Sequence, residues 1–388
     1  MLSDLVGALK AKDHQLMVLT SRLRYDRNEA SLPKRELWQG VLVLRLWSTR
    51  FGRKTLLGRG FDYLSFYLSA ILAVLVHGRR GHILVALTDP PMIGAVLHLF
   101  ARIRGMRLVH WMQDIFPEVA QALLPGAKNA LVFRIAKWFR NWTLKRSDAI
   151  VVLGERMAER VAAQGALSEK IHRISNWADE AALSPIASEA NPLRQAWGLQ
   201  GKTVVGYSGN LGRAHEFETI VQAILKTREV KNLKFLFIGD GAQLAPLKAR
   251  LQTLDVSERV HFEGYQPREN LSASLSAADV HLVSLQPELE GLIVPSKLYG
   301  ALAVGRPVIF IGDLDGEVAR VLKQNQCGHS VAVGDSNALA QSIQSYLDNT
   351  RLQCEGESAR RAFLQNYTYA LATQRWNEIL LALKERAR

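Results

Sequence analysis

Short aliphatic runs alternate along the chain with longer amphipathic ones. The runs QLMVLT (15–20), VLVLRL (41–46), HILVAL (82–87), RLVHWM (107–112) and AIVVL (149–153) have the length and β-branched content of strands, and helical stretches separate most of them. Further on the alternation restarts with TVVGYSG (203–209), LKFLFIG (233–239), RVHFEG (259–264), VHLVSL (280–285) and RPVIFIG (306–312), each followed by a helical stretch. This pattern predicts parallel sheets covered on both faces, hence two doubly wound, Rossmann-like α/β domains. SPIASEANP (184–192), rich in Ser, Ala and Pro, reads as the linker. The expected organisation is an N-terminal domain at 1–188, a second at 189–365, and a C-terminal helix at 366–388 packing back on the first. Ligands of open α/β sheets bind at the carboxyl ends of the strands, so a cleft between two such domains is the expected site.

Two helical stretches shape the picture further. FYLSAILAVLV (66–76) is too short to cross a bilayer and reads as a buried helix. Leu2, Leu5, Val6 and Leu9 fall on one face of an N-terminal helix, with the strand QLMVLT after it. A doubly wound domain places a strand before its first helix, at the centre of the sheet. The expectation is therefore an N-terminal domain lacking its first strand, with a strand and a Pro- or Gly-bearing loop encoded upstream.

A length of 388 residues exceeds what one core usually organises, and 48% hydrophobic residues mark a globular chain. Two cysteines, Cys327 and Cys354, are too few for a disulfide framework and fit a reducing compartment. Charge changes the picture more. Residues 1–150 hold 23 Lys and Arg against 10 Asp and Glu, while residues 151–388 hold 26 of each, so the whole excess of +13 belongs to the N-terminal part. Such a field suits a phosphate-rich partner. Zinc-finger spacing, an RNA-binding aromatic motif and a basic low-complexity tail are all missing, which argues against nucleic acid and for an anionic membrane surface or a lipid-linked phosphate. Attraction spread over many cations is expected to fall with salt, whereas salt-insensitive binding would point to inserted residues such as Trp38, Trp47 and Phe51.

The candidate chemistry gathers at the strand ends of the second half. GYSGNLGR (206–213) carries Gly209, Asn210 and Arg213 ahead of His215; IGDGAQL (238–244) carries Gly239, Asp240 and Gly241; EGYQP (263–267) carries Tyr265. Glycines there let backbone N–H groups approach a phosphate. EGLIVPSKLYGALAVGRPVIF (290–310) then sets Ser296 and Lys297 at the mouth of a helix poor in charge, either as a phosphate clamp or as a surface lysine on a core helix. Repeated on one sheet edge, these turns point to a nucleotide or nucleotide-diphosphate site.

In their order and spacing YSGNLG, FIGDGAQLAPLKARL, VHFEGYQPRENLSASLSAADVHLVSL and EGLIVPSKLYGALAVGRPVIF resemble the C-terminal half of bacterial family-4 glycosyltransferases of the GT-B fold. QDIFPE (113–118) and ISNWADE (174–180) extend the likeness to the exopolysaccharide, colanic-acid and O-antigen type. The resemblance implies a retaining transfer, of hexosyl or N-acetylhexosaminyl type, from a nucleotide-diphosphate sugar, usually UDP-linked. The acceptor would be a saccharide or a polyprenyl-diphosphate-linked sugar, with no metal and no cofactor. It also implies a cytoplasmic protein, peripheral on the inner membrane face. Where the wider family has a second glutamate this chain has Gly300, which leaves Glu290 as a sugar or ribose contact. Where the family has Arg and Lys in the first loop this chain has Asn210 and His215, which makes Lys297 the implied diphosphate cation. Asp114 stands where a carboxylate would orient the acceptor hydroxyl or stabilise charge on the sugar ring, with Gln113 and Glu118 on the acceptor side and His110 inside its strand. Two alternatives remain: a sugar-nucleotide 2-epimerase, and a remnant that binds donor without turnover.

Overall fold

The computed structural model describes residues 1–22, 32–52, 56–124 and 131–385. Each run expected as a strand forms one, and three further strands lie outside that reading. In the N-terminal half β1 (Met17–Ser21), β2 (Arg35–Trp38) and β3 (Val41–Leu46) form one sheet in the order β1-β3-β2, with β1 parallel to β3 and β2 antiparallel to it. Gln39 and Gly40 join β2 to β3 with φ of 48° and 74°, the backbone of a two-residue hairpin turn. A second, all-parallel sheet runs β4 (Ile83–Ala86), β5 (Arg107–Trp111), β6 (Ala149–Val152) and β7 (Ile171–Arg173) in that order.

Among the described residues no strand pairs with the outer side of β1 or of β4. Their side chains are mostly half-buried, whereas Leu108, Val109, Ile150 and Val151 of β5 and β6 are fully buried. Both sheets nevertheless share their helical layers. Leu19 of β1 and Leu84 of β4 pack on one cluster built from α2 (Leu56–His77) and α3 (Ile93–Ile103). On the other face α1 (Leu2–Ala11) and the last helix, Tyr369–Glu385, cover β4 to β6. Trp376 of that helix meets Trp111 edge-on, 4.9 Å between ring centroids. Residues 386–388 of the expected C-terminal helix lie outside the described residues. Between the strands of the second sheet run α4 (Glu118–Leu123), α5 (Leu131–Arg146) and α6 (Glu155–Ala163).

The C-terminal half is one six-stranded parallel sheet of β8 (Thr203–Ser208), β9 (Leu233–Ile238), β10 (Val260–Glu263), β11 (Val280–Ser284), β12 (Val308–Ile311) and β13 (Gly328–Val331). Its order is β10-β9-β8-β11-β12-β13, so the winding reverses between β8 and β11. In open α/β sheets the carboxyl ends of the two strands at such a reversal border the ligand crevice.

The stretch 184–192 connects the two halves and packs on the second: Ser184 and Ile186 donate backbone N–H bonds to the Ser272 and Ser276 hydroxyls, each 3.1 Å, and Asn191 bonds the Ala273 carbonyl at 2.8 Å. One expectation needs correction: the stretch 66–76 is not a buried helix. It forms the middle of α2, which buries Ala70, Ala73 and Val74 but leaves Leu68, Leu72 and Val76 exposed.

The two halves meet through a continuous core in which Met112, Ile115 and Val152 pack with Leu289, Leu292 and Leu298. Backbone bonding continues across the junction, where the Ile115 N–H reaches the Leu292 carbonyl at 2.9 Å and Asp114 bridges Ile293.

Candidate active site

The loops that follow β8 and β9 are stitched together by their backbones. Leu211 N–H donates to the Asp240 carbonyl at 2.9 Å, and Gln243 N–H returns to the Leu211 carbonyl at 2.9 Å. Such close approach dictates the glycines. A Cβ on Gly239, at φ +133°, would lie 2.2 Å from the Gly209 carbonyl oxygen, and one on Gly241 would lie 2.5 Å from that of Leu211. Tyr265 closes the side of the pocket with its hydroxyl on the Asp240 carbonyl at 3.3 Å.

Lys297 opens the short helix Lys297–Ala303, whose residues Leu298, Tyr299, Ala301, Leu302 and Ala303 are buried. That burial explains the low charge of the segment and aims Lys297 across the crevice at the β8 loop. Its Nζ donates to the Tyr207 hydroxyl, to the Asn210 carbonyl at 3.4 Å and to His215 Nε2 at 3.3 Å, and lies 3.8 Å above the Tyr207 ring centroid. The tautomer of His215 follows from its other nitrogen. Nδ1 is 2.5 Å from the Ser284 carbonyl oxygen, which only accepts, so Nδ1 carries the hydrogen and Nε2 offers its lone pair to Lys297. Burial, and then the Lys297 charge, push His215 down to about 4, which keeps it neutral. Burial also holds Lys297 well below the usual ammonium range. Among the described residues no carboxylate lies in ion-pair contact with Lys297. A cation held only by neutral acceptors inside a glycine-walled crevice is a receptor for an anion.

The structure thus brings together Gly209, Asn210, His215, Gly239, Asp240, Gly241, Tyr265 and Lys297. Ser296 is exposed at the start of the lysine helix, and Arg213 is exposed on the first loop two residues before His215. Tyr207 was not singled out in the sequence; its position in GYSG looks like a core strand residue, and only the fold shows its hydroxyl under Lys297.

Glu290 lies on the same segment as Lys297, its backbone bridging Ile293 as that of Asp114 does. It is buried at the junction of the two halves, where Oε1 accepts from the backbone N–H of Gly291 at 3.1 Å and of Glu317 at 2.9 Å, capping the helix Glu317–Asn325. Oε2 has no hydrogen-bond partner, and burial raises the carboxyl above its ordinary range. Glu317 repeats the device across the junction, its carboxylate accepting the Arg156 N–H at 2.9 Å in the first turn of α6. Gly154 leaves room for it, since a Cβ there would lie 2.2 Å from the Glu317 carboxyl carbon.

On the opposite wall Asp114 follows β5 and sits beside Ile293. Solvent reaches its side chain from the cleft, yet the surrounding walls, and secondly the charge of Asp89, raise its carboxyl to about 6. Gln113 is half-buried, its N–H on the Thr88 hydroxyl at 3.3 Å. Glu118 is committed to packing. Both its oxygens take hydrogen bonds from the buried Arg140, at 2.8 and 2.9 Å, with Lys137 at 3.2 Å; burial alone would raise this carboxyl, and Arg140 holds it below its usual value. His110 is a core residue pushed down to about 3 by burial. No cluster of three or more His, Cys, Asp or Glu suited to a metal occurs among the described residues.

Two doubly wound domains facing across a cleft, with an anion receptor at the switch point of the second, define the GT-B class. The chain belongs to the glycosyltransferases: residues 190–363 match the family described as "Glycosyl transferases group 1", and residues 1–177 match the "Glycosyl transferase 4-like domain". It is 28% identical over 338 residues to the probable glycosyltransferase WbjE of Pseudomonas aeruginosa, covering 84% of this chain and 81% of that protein. It is 24% identical over 337 residues to the putative colanic acid biosynthesis glycosyl transferase WcaI of Escherichia coli K12, covering 82% and 80%. Its fold superposes on Anabaena HepE, solved in complex with UDP-glucose, with a TM-score of 0.69 at 17% identity, covering 88% of this chain and 86% of that one.

Proposed function

We propose that the chain is a retaining glycosyltransferase that moves a sugar from a UDP-sugar to a saccharide or lipid-linked acceptor in cell-surface polysaccharide synthesis, at the cytoplasmic membrane face. One observation carries the reading: Lys297, in ion-pair contact with no carboxylate among the described residues, faces the glycine-walled loops of Gly209, Gly239 and Gly241 in a chain of this family. The colanic-acid relative supports the polysaccharide context, and the UDP-glucose complex of HepE supports the donor.

In this reading the donor diphosphate lies between the β8 and β9 loops, where their backbone N–H groups and Lys297 balance the negative charge that grows as the sugar leaves. Asp114, ionised at neutral pH, accepts a hydrogen bond from the acceptor hydroxyl on the N-terminal wall. Neither Asp114 nor Lys297 requires a metal for these roles.

The test is a UDP-release assay over a panel of UDP-hexoses and UDP-N-acetylhexosamines, with and without bacterial lipid extract. Release that depends on the extract, with a glycolipid product of retained anomeric configuration, is the expected result. Interconversion of free UDP-sugars without transfer would instead make the chain an epimerase. UDP binding without any turnover would make it a binding remnant.

A further inference from the structure

Helix α2 carries an apolar stripe that no described part of the chain covers. Leu57, Phe61, Leu64, Leu68, Leu72 and Val76 recur every three or four residues and are between 54% and 79% exposed. The stripe runs the length of a 22-residue helix, roughly 33 Å at 1.5 Å per residue. Neighbouring helices extend it, because α2 packs on α3 and α3 on α5, and these add exposed Leu99, Ile103, Ile135 and Trp138. Trp47 and Phe51 stand exposed just before α2. Soluble monomers seldom leave a contiguous apolar surface of this extent open to water.

The charge around the stripe selects what covers it. Residues 56–146 hold 12 Lys and Arg against 4 Asp and Glu. Arg79 and Arg80 stand exposed beyond the far end of α2, Arg102 and Arg104 at the end of α3, and Arg134 on α5. An apolar strip with a cationic border matches the boundary between acyl chains and anionic headgroups. By length and hydropathy Leu57–His77 also suffices to cross a bilayer. Its opposite face, however, is committed to α3 and to Leu19 and Leu46, so the helix lies in the plane of the membrane.

We infer that α2, flanked by α3 and α5, is a membrane-insertion face that seats the N-terminal domain in an anionic bilayer by burying apolar side chains, with the arginines on the headgroups. The sequence-based expectation was attraction spread over many cations, with salt-insensitive binding pointing instead to inserted residues such as Trp38, Trp47 and Phe51; the exposed stripe favours a two-part attachment that combines them. The placement also bears on the reaction. Helix α2 follows β3, which is parallel to β1 in its mixed sheet, and in α/β folds ligands bind at the carboxyl ends of the parallel strands. The Leu57 end of the stripe therefore lies toward the mouth of the cleft, where an acceptor tethered in the bilayer would enter. The attachment itself stands independently of the donor reading.

The test is flotation of the purified full chain with vesicles of phosphatidylethanolamine and phosphatidylglycerol, at about 0.1 M and about 1 M NaCl, where screening lengths are roughly 10 and 3 Å. The wild-type protein is expected to float at both salt concentrations. Leu64→Gln/Leu68→Gln/Leu72→Gln is expected to weaken partitioning roughly 100-fold or more at high salt, with an unchanged melting temperature and unchanged UDP binding. Arg79→Gln/Arg80→Gln is expected to weaken binding at low salt only. Three results overturn the inference: a triple variant that floats like the wild type, a wild type stripped completely by salt, or a wild type that stays off vesicles and sediments as a dimer which the triple variant dissolves.

Discussion

Replacing Lys297 by Met keeps most of the side-chain volume and removes the cation that reaches the β8 loop from across the crevice. Its effect on folding should be small. The ammonium loses three neutral acceptors, each worth about 1 kcal/mol, but burial already disfavours that charge, so the balance falls within about 1 kcal/mol of zero. Its effect on UDP should be large. A desolvated contact between an ammonium and a diphosphate is worth about 2–4 kcal/mol, or roughly 30- to 1,000-fold in affinity. Protonation supplies a second signature. The folded pKa lies below the unfolded one, so the penalty for charging Lys297 is full below the depressed value and is relieved as pH rises from there to the ordinary 10.5. A diphosphate restores the ammonium, and UDP binding between those two pH limits therefore takes up protons. Titration calorimetry in buffers of different ionisation enthalpy reads this directly. Proton uptake is expected to grow with pH in the wild type and to vanish in Lys297→Met. A binding enthalpy that is independent of buffer, with UDP affinity unchanged in the variant, would refute the assignment of Lys297 to the diphosphate.

Asp114, held at about 6, should give the acid limb of the pH–rate profile a midpoint near that value, and Asp114→Asn should lower turnover and flatten the limb; an unchanged limb in the variant would assign it to another group. Gly239→Ala places a methyl 2.2 Å from the Gly209 carbonyl at φ +133°, so UDP binding should fall at least tenfold and the melting temperature should drop, both measurable by thermal shift with and without UDP. Glu118→Ala strands the buried Arg140 and should cost about 3–5 kcal/mol in urea unfolding, with the KM of the surviving folded protein unaltered; a raised KM at full stability would return Glu118 to the acceptor side.

Most strands were legible because burial on both faces, nearly complete in β5, β6, β8, β9, β11 and β12, writes a continuous aliphatic run. Those that escaped lack it: β2 is RELW, two charged residues before two apolar ones, β7 is three residues, and β13 is the small, polar GHSV. The glycines and Lys297 were legible because backbone approach and a charge beside a buried helix are local demands. The caps made by Glu290 and Glu317 were not, since Glu317 finds Arg156 161 positions away, a pairing that only the fold creates. Helix α2 was misread for a different reason. Its hydropathy states that apolar residues line the helix, but not whether protein or some other apolar medium receives them.

The open outer edges of β1 and β4 have a dynamic consequence. No strand-to-strand hydrogen bond ties the β1-β3-β2 sheet to the rest of the described protein, so side-chain packing through Leu19 and Leu46 on α2 and α3 is a principal tie. Separating that sheet breaks no backbone ladder. Its amides should exchange with deuterium as a unit, sooner than those of β8 to β13, which lie in one uninterrupted sheet. Because α2 packs directly beneath this loosely held sheet, whatever grips the exposed face of α2 also sets how often β1 to β3 lift away.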